Sequence, residues 1–81
     1  MTRDELLRQL ADWIGDITDA APPEVAADTH LQKDLGLDSL ALAELAAKLR
    51  MRYKVRLRPG ELVSDLRAGA VADFVLARLP Q

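Results

Sequence analysis

Near the start of the chain Leu6, Leu10, Trp13, Ile14 and Ile17 recur at helical spacing, with Asp4, Arg8 and Asp12 on the opposite side. This pattern predicts a first helix over about 3–17. Its start reads as a capping box, in which Thr2 accepts from the backbone N–H of Glu5 and the Glu5 side chain reaches back to Thr2. The period then lapses, and Pro22 and Pro23 forbid helix continuation through a loop over 18–38. A loop of about twenty residues is uncommon in a small compact domain and is usually functional or disordered. Val25, Leu31, Leu35 and Leu37 are placed to pin it onto a core, with a short turn of helix at 31–34.

From Ser39 to about Arg52 the chain is rich in alanine and leucine, strong helix formers, with Leu42, Leu45, Ala46 and Leu49 on one stripe and Asp38 as N-cap. Glu44 and Lys48 form an i, i+4 pair, worth about 0.3 kcal/mol. Strict alternation follows over 52–58, where Tyr53, Val55 and Leu57 stand between cations. A lone strand has no partner, so this stretch reads as an extended connection that turns its odd-numbered side chains inward. Pro59 opens a short third helix over about 59–63. Ser64 or Asp65 then caps a last helix over about 65–79, with Ala68, Val71, Ala72, Val75 and Leu79 as its buried stripe, Phe74 at the edge and Pro80 as the stop. Gly69 costs this helix about 1 kcal/mol relative to alanine, so its first turn is weak. These elements predict an all-α fold: a small four-helix bundle, three main helices plus a short third one, with a long loop between the first two.

Composition limits what such a bundle can be. With 81 residues the chain is expected to form a single domain over 1–81. Hydrophobic residues make up 49% of it, yet thirteen are alanine and three aromatic, so the core rests on fifteen leucines. A domain near this size keeps roughly 3 to 5 kcal/mol of stability unless a staple adds to it. There is no cysteine, which excludes disulfides and thiolate zinc sites and leaves no native thiol to hold a thioester. No apolar run approaches the ~18 residues of a membrane span, and Thr2, Arg3, Asp4 and Glu5 do not begin a signal peptide, so a cytoplasmic location is expected.

Charge is unevenly shared. Residues 1–47 hold ten acids and three bases (−7), and residues 48–81 hold three acids and eight bases (+5). Six of the eleven cations fall between Lys48 and Arg58.

The chain has two serines, and Ser39 follows a helix cap, where unpaired N–H groups and the positive end of the macrodipole favour an attached anion such as a phosphodiester. Taken alone, Asp38 and Ser39 start a helix as in countless proteins. Their context adds more. The stretch DLGLDSLALAELAAKL (Asp34 to Leu49) resembles the attachment motif of acyl carrier proteins, an Asp-Ser-Leu preceded by Leu-Gly and followed by an amphipathic helix. DTHL at 28–31 is similar to that family's loop, YKVRLRPGEL at 53–62 to its approach to the third helix, and the chain's helical end to its fourth.

The resemblance implies that Ser39 takes 4′-phosphopantetheine from coenzyme A through a phosphopantetheinyl transferase, supplying the thiol that the chain lacks. It implies a carrier and not an enzyme, with no metal of its own. Asp38 matches the acidic residue implicated in engaging the transferase and its metal, and Leu40 and Ala47 match positions that face partners. Implied partners are acyl-loading and acyl-processing enzymes, such as a ketosynthase, an acyltransferase or an adenylating ligase, visited by a monomer. Fatty-acid carriers of the family present a strongly acidic second helix, whereas here Glu44 is the only acid from 40 to 60, and Arg50, Arg52, Lys54, Arg56 and Arg58 reverse the sign. Arg52 and Arg56, with Glu44, are therefore expected to select the partner. Leu37 stands where peptidyl carriers show glycine, which favours a polyketide or related secondary-metabolite carrier over the alternative, a discrete peptidyl, aminoacyl or D-alanyl carrier. Arg67 replaces the threonine that often begins the last helix.

Two other function classes fit less well. A nucleic-acid-binding helical module would use the cations of 48–58, but the pI near 5.2 and the acidic half repel a polyanion. A serine hydrolase needs G-x-S-x-G and a positioned histidine; here the string is L-D-S-L-A, and the one histidine, His30, reads as a solvated loop residue.

Overall fold

The structure, a computed structural model, describes residues 2–55 and 67–79. Its helices are α1 (Arg3–Thr18), α2 (Ser39–Tyr53) and α3 (Ala68–Arg78), with no strand among the described residues. The short helix expected over 59–63 and the candidate caps Ser64 and Asp65 lie outside them.

α1 begins with one half of the expected capping box: the Glu5 N–H donates to Thr2 Oγ1 at 3.2 Å, while the Glu5 side chain does not return a bond to Thr2. Its buried face is Leu6, Leu7, Leu10, Ala11, Ile14 and Gly15, while Trp13 and Ile17 are partly covered. α1 packs on both α2 and α3, so its broad apolar face serves two neighbours. α2 buries Leu42, Leu45, Ala46 and Leu49, and α3 buries Ala68, Val71, Ala72 and Val75. The loop contributes Leu31 and Leu37, as buried as any helical leucine, with Val25 and Leu35 partly covered. Fully burying one such leucine stabilises by about 1.5–3 kcal/mol, which explains how a long loop stays fixed to a small core.

Of the extended connection expected over 52–58, residues 56–58 lie outside the described residues, and the first two belong to the end of α2. α2 runs to Tyr53, and Lys54 ends it with φ 58°, ψ 32°, its N–H donating to the Arg50 carbonyl at 2.9 Å. Tyr53 and Val55 are both buried, as the alternation indicates, on either side of a left-handed turn at the helix end. Burial pushes the Tyr53 phenol above its usual 10.0, against the lowering pull of Arg52 and with a small upward push from Glu5. The Tyr53 ring also meets Trp13 at 5.9 Å between centroids. Glu44 and Lys48 share a helix side but form no ion pair; Arg3 and Asp73 do, at 3.2 Å, tying α1 to α3.

α3 starts three residues later than the sequence pattern indicates, because Arg67 is extended (φ −71°, ψ 137°) and makes no side-chain cap. The cap comes from the loop instead. The Ala68 N–H donates to the Thr29 carbonyl and the Gly69 N–H to the Ala27 carbonyl, each at 2.8 Å, beside an isolated antiparallel bridge between His30 and Arg67. Loop carbonyls thus satisfy N–H groups that a serine or aspartate side chain would otherwise take.

Candidate functional site

The approach to α2 is a compact turn. His30 Nδ1 accepts from the backbone N–H groups of Gln32 and Lys33 at 3.2 and 2.9 Å, and the His30 N–H donates to Asp34 Oδ2 at 2.8 Å. His30 stays in the loop, partly exposed, and holds this turn together, which takes its Nδ1 out of any hydrolytic role. The Gly36 N–H then donates to Gln32 and the Leu37 N–H to Leu31. Gly36 has φ +70°, and a Cβ there would meet nothing within 4 Å. Its role is therefore conformational: it reverses the chain so that Leu37 enters the core and Asp38 faces out. Gly36→Ala is expected to cost about 1 kcal/mol through backbone strain alone, read as a small shift of the urea midpoint.

Asp38 is the N-cap of α2, with Oδ1 accepting from the Ala41 N–H at 2.8 Å and the backbone carbonyl accepting from the Leu42 N–H at 2.9 Å. Oδ2 makes no hydrogen bond among the described residues and stays exposed. Ser39 is the first helical residue and is also exposed. At this position the N–H groups of Ser39 and Leu40 have no intrahelical acceptor, and the macrodipole presents its positive end. A phosphodiester on Ser39 Oγ would meet donors, favourable potential and open solvent. The residues present therefore fit a phosphopantetheine group.

Beside Ser39, the end of α1 and the start of α2 enclose a shallow open groove of about 250 Å³, lined by Ile17, Thr18, Leu37, Asp38, Leu40 and Glu44 among others. That is below the roughly 300–1,000 Å³ of ordinary small-molecule sites. Three of the residues expected to recognise partners, Asp38, Leu40 and Glu44, meet on this groove. Ala47 is half-buried one turn further along. Arg52 is not brought to the group: it lies 13 residues beyond Ser39, about 20 Å along the helix, with its guanidinium 5.8 Å from the centre of the Tyr53 ring. Arg56 lies outside the described residues. Met51 went unnoticed in the sequence and is the more exposed of two large hydrophobic side chains, Leu40 (69%) and Met51 (77%). Helical spacing could have found it, because Met51 falls opposite the Leu42–Leu45–Leu49 stripe. No described helix is long and apolar enough to cross a membrane.

The geometry agrees with what known proteins show. Residues 8–75 match the family described as the phosphopantetheine attachment site. The chain is 38% identical over 71 residues to polyketide-8 synthase acyl carrier protein 2 of Streptomyces avermitilis, covering 88% of this chain and 82% of that one. It is 32% identical over 74 residues to an acyl carrier protein of Rhodococcus erythropolis, covering 91% and 78%. In fold it is similar to the A1-type carrier domain from module 5 of MLSA1, with a TM-score of 0.78 over 96% of this chain and 78% of that one at 24% identity. An exposed serine at a capped helix start, in a chain with no thiol of its own, is what such a carrier needs, and the chain belongs to the phosphopantetheine-attachment family as a non-catalytic acyl carrier protein.

Proposed function

We propose that Ser39 is the attachment residue and that the chain carries acyl intermediates of a polyketide or related secondary-metabolite assembly. The observation that carries this reading is the exposed Ser39 hydroxyl at the first position of α2, behind the Asp38 cap. The group supplies a terminal thiol on which acyl chains are held as thioesters. The chain's own part is to fix the attachment oxygen at a rigid helix start, to leave it open to enzymes, and to offer the side chains around it as a recognition surface. Similarity to a carrier named for polyketide synthesis supports the pathway class, as does the scarcity of acids along α2, with Glu44 as its only one. Its partners are then a phosphopantetheinyl transferase and the loading and condensing enzymes of one assembly, such as a ketosynthase, an acyltransferase or an adenylating ligase, with the carrier acting as a monomer in the cytoplasm.

Intact mass tests the attachment. Incubated with coenzyme A, magnesium and a broad-specificity transferase, the protein is expected to gain one phosphopantetheinyl group, and no gain while a control carrier is loaded would overturn the reading.

Asp38 has two tasks that substitution can separate. Its Oδ1 holds the helix, while Oδ2 is free to face a transferase and its metal. Asp38→Asn keeps an acceptor oxygen for the Ala41 N–H and removes the charge. It is expected to melt close to wild type yet load about tenfold more slowly, whereas Asp38→Ala also loses about 1 kcal/mol of stability. Loading rates and melting curves of the two variants check this. Equal loading by the Asn variant would confine Asp38 to capping.

A further inference from the structure

The turn that leads into α2 hangs on one titratable side chain. His30 Nδ1 accepts two backbone N–H groups, from Gln32 at 3.2 Å and Lys33 at 2.9 Å, as a serine or aspartate oxygen does at a helix start. Only an imidazole with no proton on Nδ1 can accept, so the ring here is neutral and carries its hydrogen on Nε2. The His30 carbonyl takes the N–H groups of Asp34 and Leu35 at 2.9 and 3.3 Å, and its own N–H donates to Asp34 Oδ2 at 2.8 Å. The residue is partly exposed, so protons reach the ring.

This turn holds an element on each side of it. Towards α2, the Leu37 N–H donates to the Leu31 carbonyl at 3.2 Å, and both leucines are buried, one residue before the Asp38 cap. Towards α3, the carbonyls of Thr29 and Ala27 accept from Ala68 and Gly69, and His30 itself pairs with Arg67 in the isolated bridge. Charged groups stand around it on several elements. Lys33 and Asp34 lie on the turn, Asp28 on the loop before it and Arg67 across the bridge, with Arg3 of α1 and Asp73 of α3 in the groove that Asp28 and Arg67 also line. Asp28 and Asp34 favour an imidazolium, Lys33 and Arg67 oppose it, and Arg3 and Asp73 are paired with each other. The charges largely offset, which leaves the lost acceptor to decide.

We propose that His30 is an acid-sensitive latch: a proton on Nδ1 turns the acceptor into a donor facing two N–H groups, and the turn opens, releasing the entry to α2 and the start of α3 together. The sign follows from counting protons. The folded turn gives up two hydrogen bonds to take this proton and the unfolded chain gives up none, so the unfolded chain binds it more readily. The stability tied to the latch is therefore present above about pH 6.5, where a free imidazole is neutral, and is lost progressively as pH falls below it. Mild acid loosens the segment that leads to Ser39, whatever that serine carries. The latch goes beyond the carrier reading and does not rest on it.

The chain has one histidine, so its ring signals are unambiguous. Long-range ¹H–¹⁵N spectra of the wild type at pH 7.5 are expected to show a neutral ring with its proton on Nε2. Urea unfolding at pH 7.5 and pH 5.5 is expected to show the unfolding constant rising about fivefold more in wild type than in His30→Asn, whose amide oxygen supplies an acceptor that does not titrate. Carboxylates that titrate over this range do so in both proteins. His30→Ala is expected to unfold about fivefold more readily than wild type at pH 7.5 and to lack the acid-dependent part. Hydrogen exchange at the two pH values, corrected for the intrinsic rate, is expected to show the amides of Leu37, Ala68 and Gly69 losing protection by the same factor. A ring protonated on Nδ1 at pH 7.5, equal pH dependence in wild type and His30→Asn, or loss of protection at Leu37 while Ala68 and Gly69 keep theirs would overturn the proposal. The ring spectrum and the exchange pattern come from the wild type alone, so they decide the matter for a substitution that prevents folding.

Discussion

Ser39→Ala is expected to remove arm attachment completely while leaving the fold intact. The side chain is exposed, makes no hydrogen bond among the described residues, and occupies the first position of α2, which alanine tolerates well. The cap that begins the helix belongs to Asp38, not to Ser39. The melting temperature is therefore expected to stay within about 3 °C of wild type, since surface changes away from special features remain within about 0.5 kcal/mol. The mass gain falls to zero because the other hydroxyl on the groove, that of Thr18, is tied to its own helix by donating to the Ile14 carbonyl at 2.7 Å. Ser64 is the chain's only other serine, so a gain that survives in Ser39→Ala and disappears in Ser64→Ala would move the site to a different part of the chain. Loss of both loading and cooperative unfolding would show that Ser39 matters to the fold, which the geometry around it opposes.

The fold and the proposed site were legible in the sequence to different degrees. The cap at Asp38 and the apolar stripes of the three described helices follow from side-chain chemistry and period, because each of them buries one face against a single core. Capping logic also marks Ser39 as a good place for a phosphate, but thousands of helix starts share that property, and the surrounding motif is what singles it out. Period places Tyr53 and Val55 inward, where they are, but the turn between them is made by Lys54 in a left-handed conformation that no local signal announces. The structural task of His30 was not legible for a similar reason. Its ring works as a cap on a turn built from residues next to it, and that acceptor role depends on backbone geometry instead of on composition. The sequence shows a basic run, but only the helix separates Lys48 and Arg50 beside Met51 from Arg52 against Tyr53.

Gly69→Ala reverses the sign that helix propensity predicts. Inside a helix alanine is favoured over glycine by about 1 kcal/mol, so sequence reasoning treats Gly69 as a weakness that alanine would repair. The loop makes it a necessity. Gly69 is the second residue of α3, and its N–H donates to the Ala27 carbonyl at 2.8 Å. A Cβ there would lie 2.7 Å from that same carbonyl oxygen and 2.9 Å from the Ala27 Cβ, and would also collide with an Arg3 guanidinium nitrogen. The Arg3 tip can swing away, since its side chain is nearly half exposed. The Ala27 backbone cannot move without loosening the bonds from Gly69 and Ala68 that cap α3 in place of a side chain. Overpacking costs about 1–3 kcal/mol and a weakened capping bond about 1 more, against the gain of about 1 from propensity. The net expectation is a loss of about 2 kcal/mol, or roughly 10 °C in Tm for a domain of this size. Urea unfolding checks the free energy, and hydrogen exchange locates it: the amides of Ala68 and Gly69 should lose protection before those of Val71 and Val75. A Gly69→Ala variant as stable as wild type or more so would mean that the loop yields to the methyl group, and that α3 does not depend on loop carbonyls for its start.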